Sequence, residues 1–316
     1  MTRSPLFRLA CCTALIGAVL TACGRSDSTS AVSSGPALQA GAPDLSGLAV
    51  DPGARIAALQ PQATETYAIT LNFAPGSASS VVNAMTAAAK RWQGLVTQGL
   101  PNATVNIAAN TCGSNAAYSG TIDDLLVFTG SKNIDGPGGI LAQSGPCSVR
   151  TASGLTLYST LIFDSSDLAQ FGSQLTDIAT HELGHSLGIG SLWSRFRLVS
   201  GANSNNPVYT GANGVREYRA AGGTLSSVPV ENQGGSGTKG AHWRETTFNT
   251  ELMTGYLNSG VKNPLSRISV GSLQDMGYAV NYAGADAYSV PLAAQGRSGI
   301  DLDGREQIIE PKYRVD

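Results

Sequence analysis

The sequence predicts an α+β domain, and three observations carry that prediction. Residues 66–187 read as strand, amphipathic helix, several strands, second helix. The apolar residues recur at steps of three and four in two segments, and alternate or run together in the segments between them. No internal repeat of roughly 20–50 residues is visible, which excludes a solenoid or propeller.

The elements follow in chain order. Residues 1–22 read as a secretion signal. Arg3 and Arg8 form a positive start, and Leu9 to Leu20 form an apolar stretch too short to span a bilayer. The segment ends Leu20-Thr21-Ala22-Cys23, which resembles the lipobox of bacterial lipoproteins, so Cys23 is the expected lipidation site. Gly24 follows where an Asp would favour inner-membrane retention. By resemblance to sorting in two-membrane bacteria, the expected address is the cell envelope at the outer membrane. Residues 23–66 are rich in Ser, Gly, Ala and Pro, bury too little to offset their ordering entropy, and read as a flexible linker behind the lipid.

Residues 67–283 form the expected body. Thr66 to Phe73 alternates around Tyr67, Ile69, Leu71 and Phe73 as a strand. Ser77 to about Gln98 carries Val81, Met85, Ala88, Trp92 and Leu95 on one helical face, with Ser77 or Ser79 available as N-cap. Strands are expected at Thr104–Ile107, Asp124–Thr129, Leu157–Phe163 and, bounded by Gly, at 138–143. Leu175 to Leu187 reads as a helix and closes an N-terminal subdomain, 67–188. Residues 189–240 lose periodicity and are rich in Gly, Asn and Ser, too long for an ordinary connection. Apolar order returns over 264–280, with a helix near Ser272–Met276. Residues 284–316 read as a polar tail or a short hairpin.

Composition narrows the function. Only 13% of the 316 residues are charged, against roughly 25% in an average domain, and the 20 basic and 22 acidic residues give a net charge of −2. Removing the signal with its two Arg makes that −4. Nucleic-acid binding is therefore not expected, since it calls for a basic patch or stripe. No run of about 18 apolar residues is present, so membrane contact is expected through the lipid alone. Of five Cys, Cys11 and Cys12 leave with the signal and Cys23 takes the lipid. Cys112 and Cys147 remain as one pair in an oxidising compartment and are expected to form a disulfide.

The chain has three His, and two stand in His181-Glu182-Leu183-Gly184-His185. On a helix, positions i and i+4 share a face, so two imidazoles there can bind one metal ion. Glu182 lies beside them, placed to take a proton from water at the metal. Chance would produce this pattern in on the order of one such sequence per thousand. Zn²⁺ suits imidazole nitrogen, and a catalytic zinc takes three protein ligands plus water. Gly188 permits a sharp turn at the helix end. For a third ligand His242 is the remaining histidine, while Glu217, Glu231, Glu245 and Glu251 are the candidates if it is a glutamate.

The chain resembles the leishmanolysin-type metallopeptidases, metzincins with a long insertion before the third His. The resemblance rests on HELGHSLG at 181–188, Ala241-His242-Trp243 and Glu251-Leu252-Met253, and covers roughly residues 67–283. It implies a metzincin-like fold: a twisted mixed sheet, a backing helix, an active-site helix, and an irregular C-terminal subdomain at 189–283. It implies His181, His185 and His242 as ligands of one catalytic zinc, Glu182 as general base, and Met253 in the Met-turn beneath the metal. It implies an endopeptidase acting on protein or peptide substrates. Gly139, Ile140, Leu141 and Ala142 resemble the edge strand against which extended substrate aligns, which would bind peptides through the main chain. Better-known members are kept latent by a pro-segment Cys on the zinc. With Cys23 lipidated and Cys112 paired to Cys147, no thiol remains for that here.

A metal- or partner-binding lipoprotein without catalysis is the alternative, and Glu182 weighs against it. Structural Ca²⁺ stays open: Asp123, Asp124, Asp135, Asp164 and Asp167 are available without a loop signature. A monomer is expected. Tyr256 is expected in the core or at a rim.

Overall fold

The computed structural model describes residues 41–51, 53, 55–56, 65–235, 237–292 and 299–315. The signal 1–22 and the lipidation site Cys23 lie outside the described residues. Two short strands come first, β1 (Ala49–Val50) and β2 (Arg55–Ile56). Then follow β3 (Ile69–Phe73), the helix α1 (Ser79–Gln93), and the strands β4 (Ala103–Ile107) and β5 (Tyr118–Ile122). Three longer strands come next: β6 (Leu125–Lys132), β7 (Ala142–Arg150) and β8 (Thr156–Asp164). One turn of helix, α2 (Leu168–Phe171), leads into α3 (Leu175–Leu187).

Beyond α3 the chain carries β9 (Val199–Ser200), β10 (Val208–Tyr209), α4 (Ala212–Ala220) and β11 (Val228–Pro229). It continues through α5 (Glu245–Phe248), β12 (Tyr256–Asn258) and α6 (Arg267–Met276). Three strands end it: β13 (Gly299–Asp301), β14 (Glu306–Ile308) and β15 (Tyr313–Val315).

The expected mixed sheet is present. Its order is β1-β15-β7-β8-β6-β3, with β14 also on β7. β3, β6 and β8 are parallel, and β7 is antiparallel to β8. Alternate side chains of β6 enter two cores, as the period of a strand requires. Leu125 and Val127 join the main core with α1 and α3, while Leu126 and Phe128 join a second core with Val105 and Ile107 of β4. Being covered on both faces is why β8 is buried throughout, its Thr and Ser residues included.

α1 is the backing helix. Its buried face is Val81, Ala84, Met85, Ala88, Ala89 and Trp92. Trp92 ties it to α3 with a 2.8 Å hydrogen bond from Nε1 to the Thr180 carbonyl. The helix starts at Ser79, without a side-chain cap, and ends at Gln93, before the expected Gln98. Ser77 turns back to the Ala74 carbonyl instead of capping.

Four expectations change. The stretch 23–66 is not linker throughout: β1 pairs with β15, Leu45 and Leu48 are buried, and Asp51 accepts a 2.9 Å hydrogen bond from the Tyr158 hydroxyl. A few apolar residues among small ones suffice because a sheet edge is there to receive them. The tail 284–316 is not a loose tail or hairpin, since residues 299–315 supply β13, β14 and β15 to two different sheets. The insertion is not wholly irregular, because α4 packs on α6 through Glu217, which pairs with Arg267 at 2.6 Å. The expected edge strand is neither at residues 139–141 nor an edge: β7 begins only at Ala142, and β14 and β15 pair along its other side. Gly139, Ile140 and Leu141 lie in the loop before it, where the Asp135 carboxylate holds the Ile140 N–H at 3.0 Å and the Asp167 carboxylate holds that of Gly138 at 2.8 Å.

Cys112 and Cys147 form the expected disulfide, joining the β4–β5 connection to the middle of β7 across 35 positions of sequence. Closing a loop of that length removes denatured-chain entropy worth about 4 kcal/mol in the simplest treatment. Reduction should therefore lower the unfolding free energy by several kcal/mol and the denaturant midpoint with it. An equal midpoint with and without reductant would contradict it.

Candidate metal centre

The centre is built from α3 and the turns after it. α3 places His181 and His185 one turn apart on the same face, both fully buried. Gly188 ends the helix at φ +118°, a conformation that suits Gly. This turn brings the Ile189 carbonyl back over the helix, where it accepts a 2.8 Å hydrogen bond from His185 Nδ1. Gly190 then passes against the chain before His242. A Cβ at Gly190 would lie 1.9 Å from the Ala241 carbonyl oxygen. This close crossing returns His242 to the helix from 57 positions away.

The Glu251-Leu252-Met253 turn supports the centre from below. Its Leu252 carbonyl accepts from His181 Nδ1 at 2.7 Å. Met253 is fully buried and packs on Gly184, where a Cβ would stand 2.8 Å from its sulfur. A side chain at this position, directly before His185, would displace the end of Met253. Glu251 braces the turn: one oxygen accepts from the Met253 N–H at 2.6 Å, the other from the Ser266 and Ser269 hydroxyls at 2.6 and 2.7 Å. Burial pushes this carboxyl up, and those donors pull it back.

The tautomers follow from the partners. Leu252, Ile189 and Thr238 offer carbonyl oxygens to the three Nδ1 atoms, the last at 3.1 Å. A carbonyl can only accept, so each Nδ1 carries a proton and each ring can coordinate through Nε2. The three Nε2 atoms stand 3.0–3.1 Å apart. Ligands of a tetrahedral zinc stand roughly 3.3 Å apart, so the triangle is close to that size.

A fourth group meets them. Glu306 of β14 sends its carboxylate to 2.9 Å from His185 Nε2, 3.1 Å from His242 Nε2 and 3.4 Å from His181 Nε2. Both Glu306 oxygens are buried and accept no hydrogen bond among the described residues. Three imidazole nitrogens and a carboxylate without donors make a donor set for a divalent cation, and zinc fits it. The charges agree. Burial pushes His185 down to about 4. Burial opposes charging His242 as well, but the Glu306 carboxylate outweighs it and raises that ring. Burial would also raise Glu306, yet the three imidazoles hold it far below the usual carboxylate range.

Glu182 stands beside this set. Its Oε2 accepts a 2.6 Å hydrogen bond from the Ser144 hydroxyl of β7, and its Oε1 accepts none among the described residues. Burial, then repulsion from Glu306, pushes its carboxyl up to about 8.

The structure thus brings together His181, Glu182, His185, Gly188, His242 and Met253. It leaves the four glutamate alternatives elsewhere. Glu217 pairs with Arg216 and Arg267, Glu231 accepts the N–H groups of Asn232, Gln233 and Glu245, and Glu251 braces the turn. Glu245 is the first residue of α5 and does not join the imidazole cluster. Tyr256 lies at the rim on β12, its hydroxyl donating to the Gly299 carbonyl at 3.1 Å. The Asp residues considered for calcium are used by the backbone: Asp124 holds Ala68 and Leu100, Asp164 holds residues 134–136 and 166, and Asp167 and Asp135 hold the loop before β7. Asp123 joins no metal-ligand cluster among the described residues. Sequence reasoning missed Glu306, Ser144 and Gly190. The apolar pair Ile308-Ile309 behind Glu306 hinted at a strand but not at its partner.

Comparison with known proteins agrees with the motifs. The leishmanolysin family model matches residues 101–294, more than half of the chain, and the chain belongs to that family. It is 29% identical over 119 residues to leishmanolysin of Leishmania major, covering 35% of this chain and 19% of that protein. It is 33% identical over 117 residues to a leishmanolysin homolog of Crithidia fasciculata, covering 34% and 18%. It is 26% identical over 165 residues to leishmanolysin of Leishmania donovani, covering 49% and 27%. The matched stretch thus spans 18% to 27% of the length of these curated relatives.

The Gly190 crossing is directly testable. Gly190→Ala puts a methyl into the Ala241 carbonyl and forces a φ of +74° on an L side chain. The expected cost is about 2 kcal/mol or more, with a fall in zinc bound per chain because His242 moves with Ala241. Wild-type urea midpoint and zinc content in that variant would refute the account.

Proposed function

We propose that this chain is a zinc-dependent endopeptidase, with His181, His185 and His242 as metal ligands and Glu182 as general base. The observation that carries the reading is the set of three inward Nε2 atoms, each fixed by a backbone carbonyl at Nδ1, with a free carboxylate oxygen alongside. Membership of a peptidase family supports the same reading.

A bound zinc supplies a Lewis acid that acidifies water and polarises the scissile carbonyl. The chain supplies the rest. Glu182 Oε1 is the atom available to take a proton from the attacking water and hand it to the leaving amine. The Ser144 hydroxyl fixes Oε2, so the carboxylate keeps its direction while the proton moves. Burial of all three imidazoles excludes water and strengthens every charge interaction inside the site. The main-chain groups of β7 at Ala142–Ser144, paired here with β14, are of the kind an extended peptide takes, which supports protein or peptide substrates.

One observation favours a second reading. With Glu306 the metal would have four protein ligands, as in structural zinc sites that only bind. A catalytic role for Glu182 separates the two. Glu182→Gln should keep one zinc per chain and lose chelator-sensitive cleavage of casein by at least 100-fold, the contribution of a general base. His242→Ala should lose zinc. Equal and measurable cleavage by wild type and Glu182→Gln would refute the mechanism.

The lipobox-like run ending at Cys23 supports attachment to the cell envelope. Cys23→Ser should move the protein from the membrane fraction to the soluble fraction. Retention in the membrane fraction would refute the anchor.

A further inference from the structure

We propose that residues 299–315 are a built-in inhibitor of the peptidase site: Glu306 is the fourth ligand of the metal, and the chain around it occupies the cleft where a peptide would lie. The inference rests on the peptidase reading and adds its regulation.

The placement of Glu306 is the first argument. Its carboxylate faces the Nε2 atoms of all three histidines within 3.4 Å, and both its oxygens are buried. That is where the hydrolytic water must stand if three imidazoles hold a catalytic zinc. A carboxylate there displaces the water. It presents a side chain to the metal where a substrate presents a peptide carbonyl, so the segment itself is not hydrolysed.

The backbone is the second argument. β14 runs parallel to β7 in register Glu306↔Ala142, Gln307↔Gln143 and Ile308↔Ser144. The Leu141 N–H donates to the Arg305 carbonyl at 2.5 Å, and the Ile309 N–H donates to the Ser144 carbonyl at 2.6 Å. These are main-chain groups that an extended substrate would need. On the opposite side, β13 pairs with β12 over Tyr256–Asn258, immediately after the turn that carries Met253. The segment therefore bridges both walls of the site.

The fit is the third. Leu302 is fully buried in the main core, four positions before Glu306. A Cβ at Gly145 would stand 2.2 Å from the Ile309 carbonyl oxygen, and one at Gly237 would stand 2.9 Å from that of Glu306. Both glycines have positive φ. The body thus leaves bare backbone where the segment lies, as a cradle shaped to hold it. A thiol-based block has no free cysteine among the described residues, since Cys112 and Cys147 are joined. The carboxylate fills that role.

The test reads the metal as well as the activity. The full chain is loaded with Co²⁺, whose visible absorption reports its ligands, and acetohydroxamate is the probe for an open coordination position. Wild type should keep its spectrum at a large excess of probe. Glu306→Gln, which keeps the shape but removes the anionic ligand, should change the spectrum without probe and bind the probe at least about tenfold more tightly. With zinc, the same variant should cleave casein about 10- to 100-fold faster than wild type, as expected when a dominant blocked state is unlocked. An unchanged spectrum in Glu306→Gln, or ready probe binding by wild type, overturns the proposal. The wild-type measurement decides even if the variant fails to fold. If Glu306→Gln opens the metal to the probe yet cleaves nothing, Glu306 is the ligand and the peptidase reading is what fails.

Discussion

Three hydrogen bonds from imidazole Nδ1 to backbone carbonyls are the constraint on which the rest of the site depends. Each carbonyl comes from a different turn: Ile189 just past α3, Thr238 four positions before His242, and Leu252 beside Met253. An imidazole held this way has one remaining nitrogen, and it points inward. The fold is arranged so that three such turns meet under one helix. Gly188 makes the first turn, Gly190 lets the second approach, and the Glu251 carboxylate braces the third.

The same contacts explain residues that otherwise look like packing. Met253 fills the space beside Gly184 and so sets the height of the turn that holds His181. Trp243 follows His242, donates from Nε1 to Ser269 at 2.8 Å and receives its neighbours Trp193 and Tyr209 edge-on or tilted. That aromatic cluster sits where the long insertion returns to the body, so the insertion is anchored at the point where it delivers His242. Ser144 links the sheet to the helix through Glu182, which couples the position of β7 to that of the carboxylate beside the histidines.

The C-terminal segment changes how the site is understood. A polar run after the last helix would be expected to do little. Here it completes the sheet, buries Leu302 and Val315, and puts a carboxylate among three imidazoles. Burying that charge without a cation nearby would cost several kcal/mol, so its presence argues for positive charge at the centre of the triangle.

The sequence by itself determined what is local. The i, i+4 spacing of His181 and His185, the glycine stop at 188 and the apolar periodicities of α1, β6 and β8 all express themselves within a few residues, where backbone geometry rules. The motif order also named His242 and Met253. Only the tertiary structure decided which residues distant in sequence complete the centre. Nothing near Glu306 announces that its strand pairs with Ala142–Ser144, because strand pairing across 164 positions follows from an open edge elsewhere in the fold. The same holds for Gly190, whose need for glycine arises from the Ala241 carbonyl, and for β1, which found order in a compositionally flexible stretch because β15 was there to pair with it. Side-chain chemistry is legible in one dimension, whereas edges and close approaches exist only once the chain has folded.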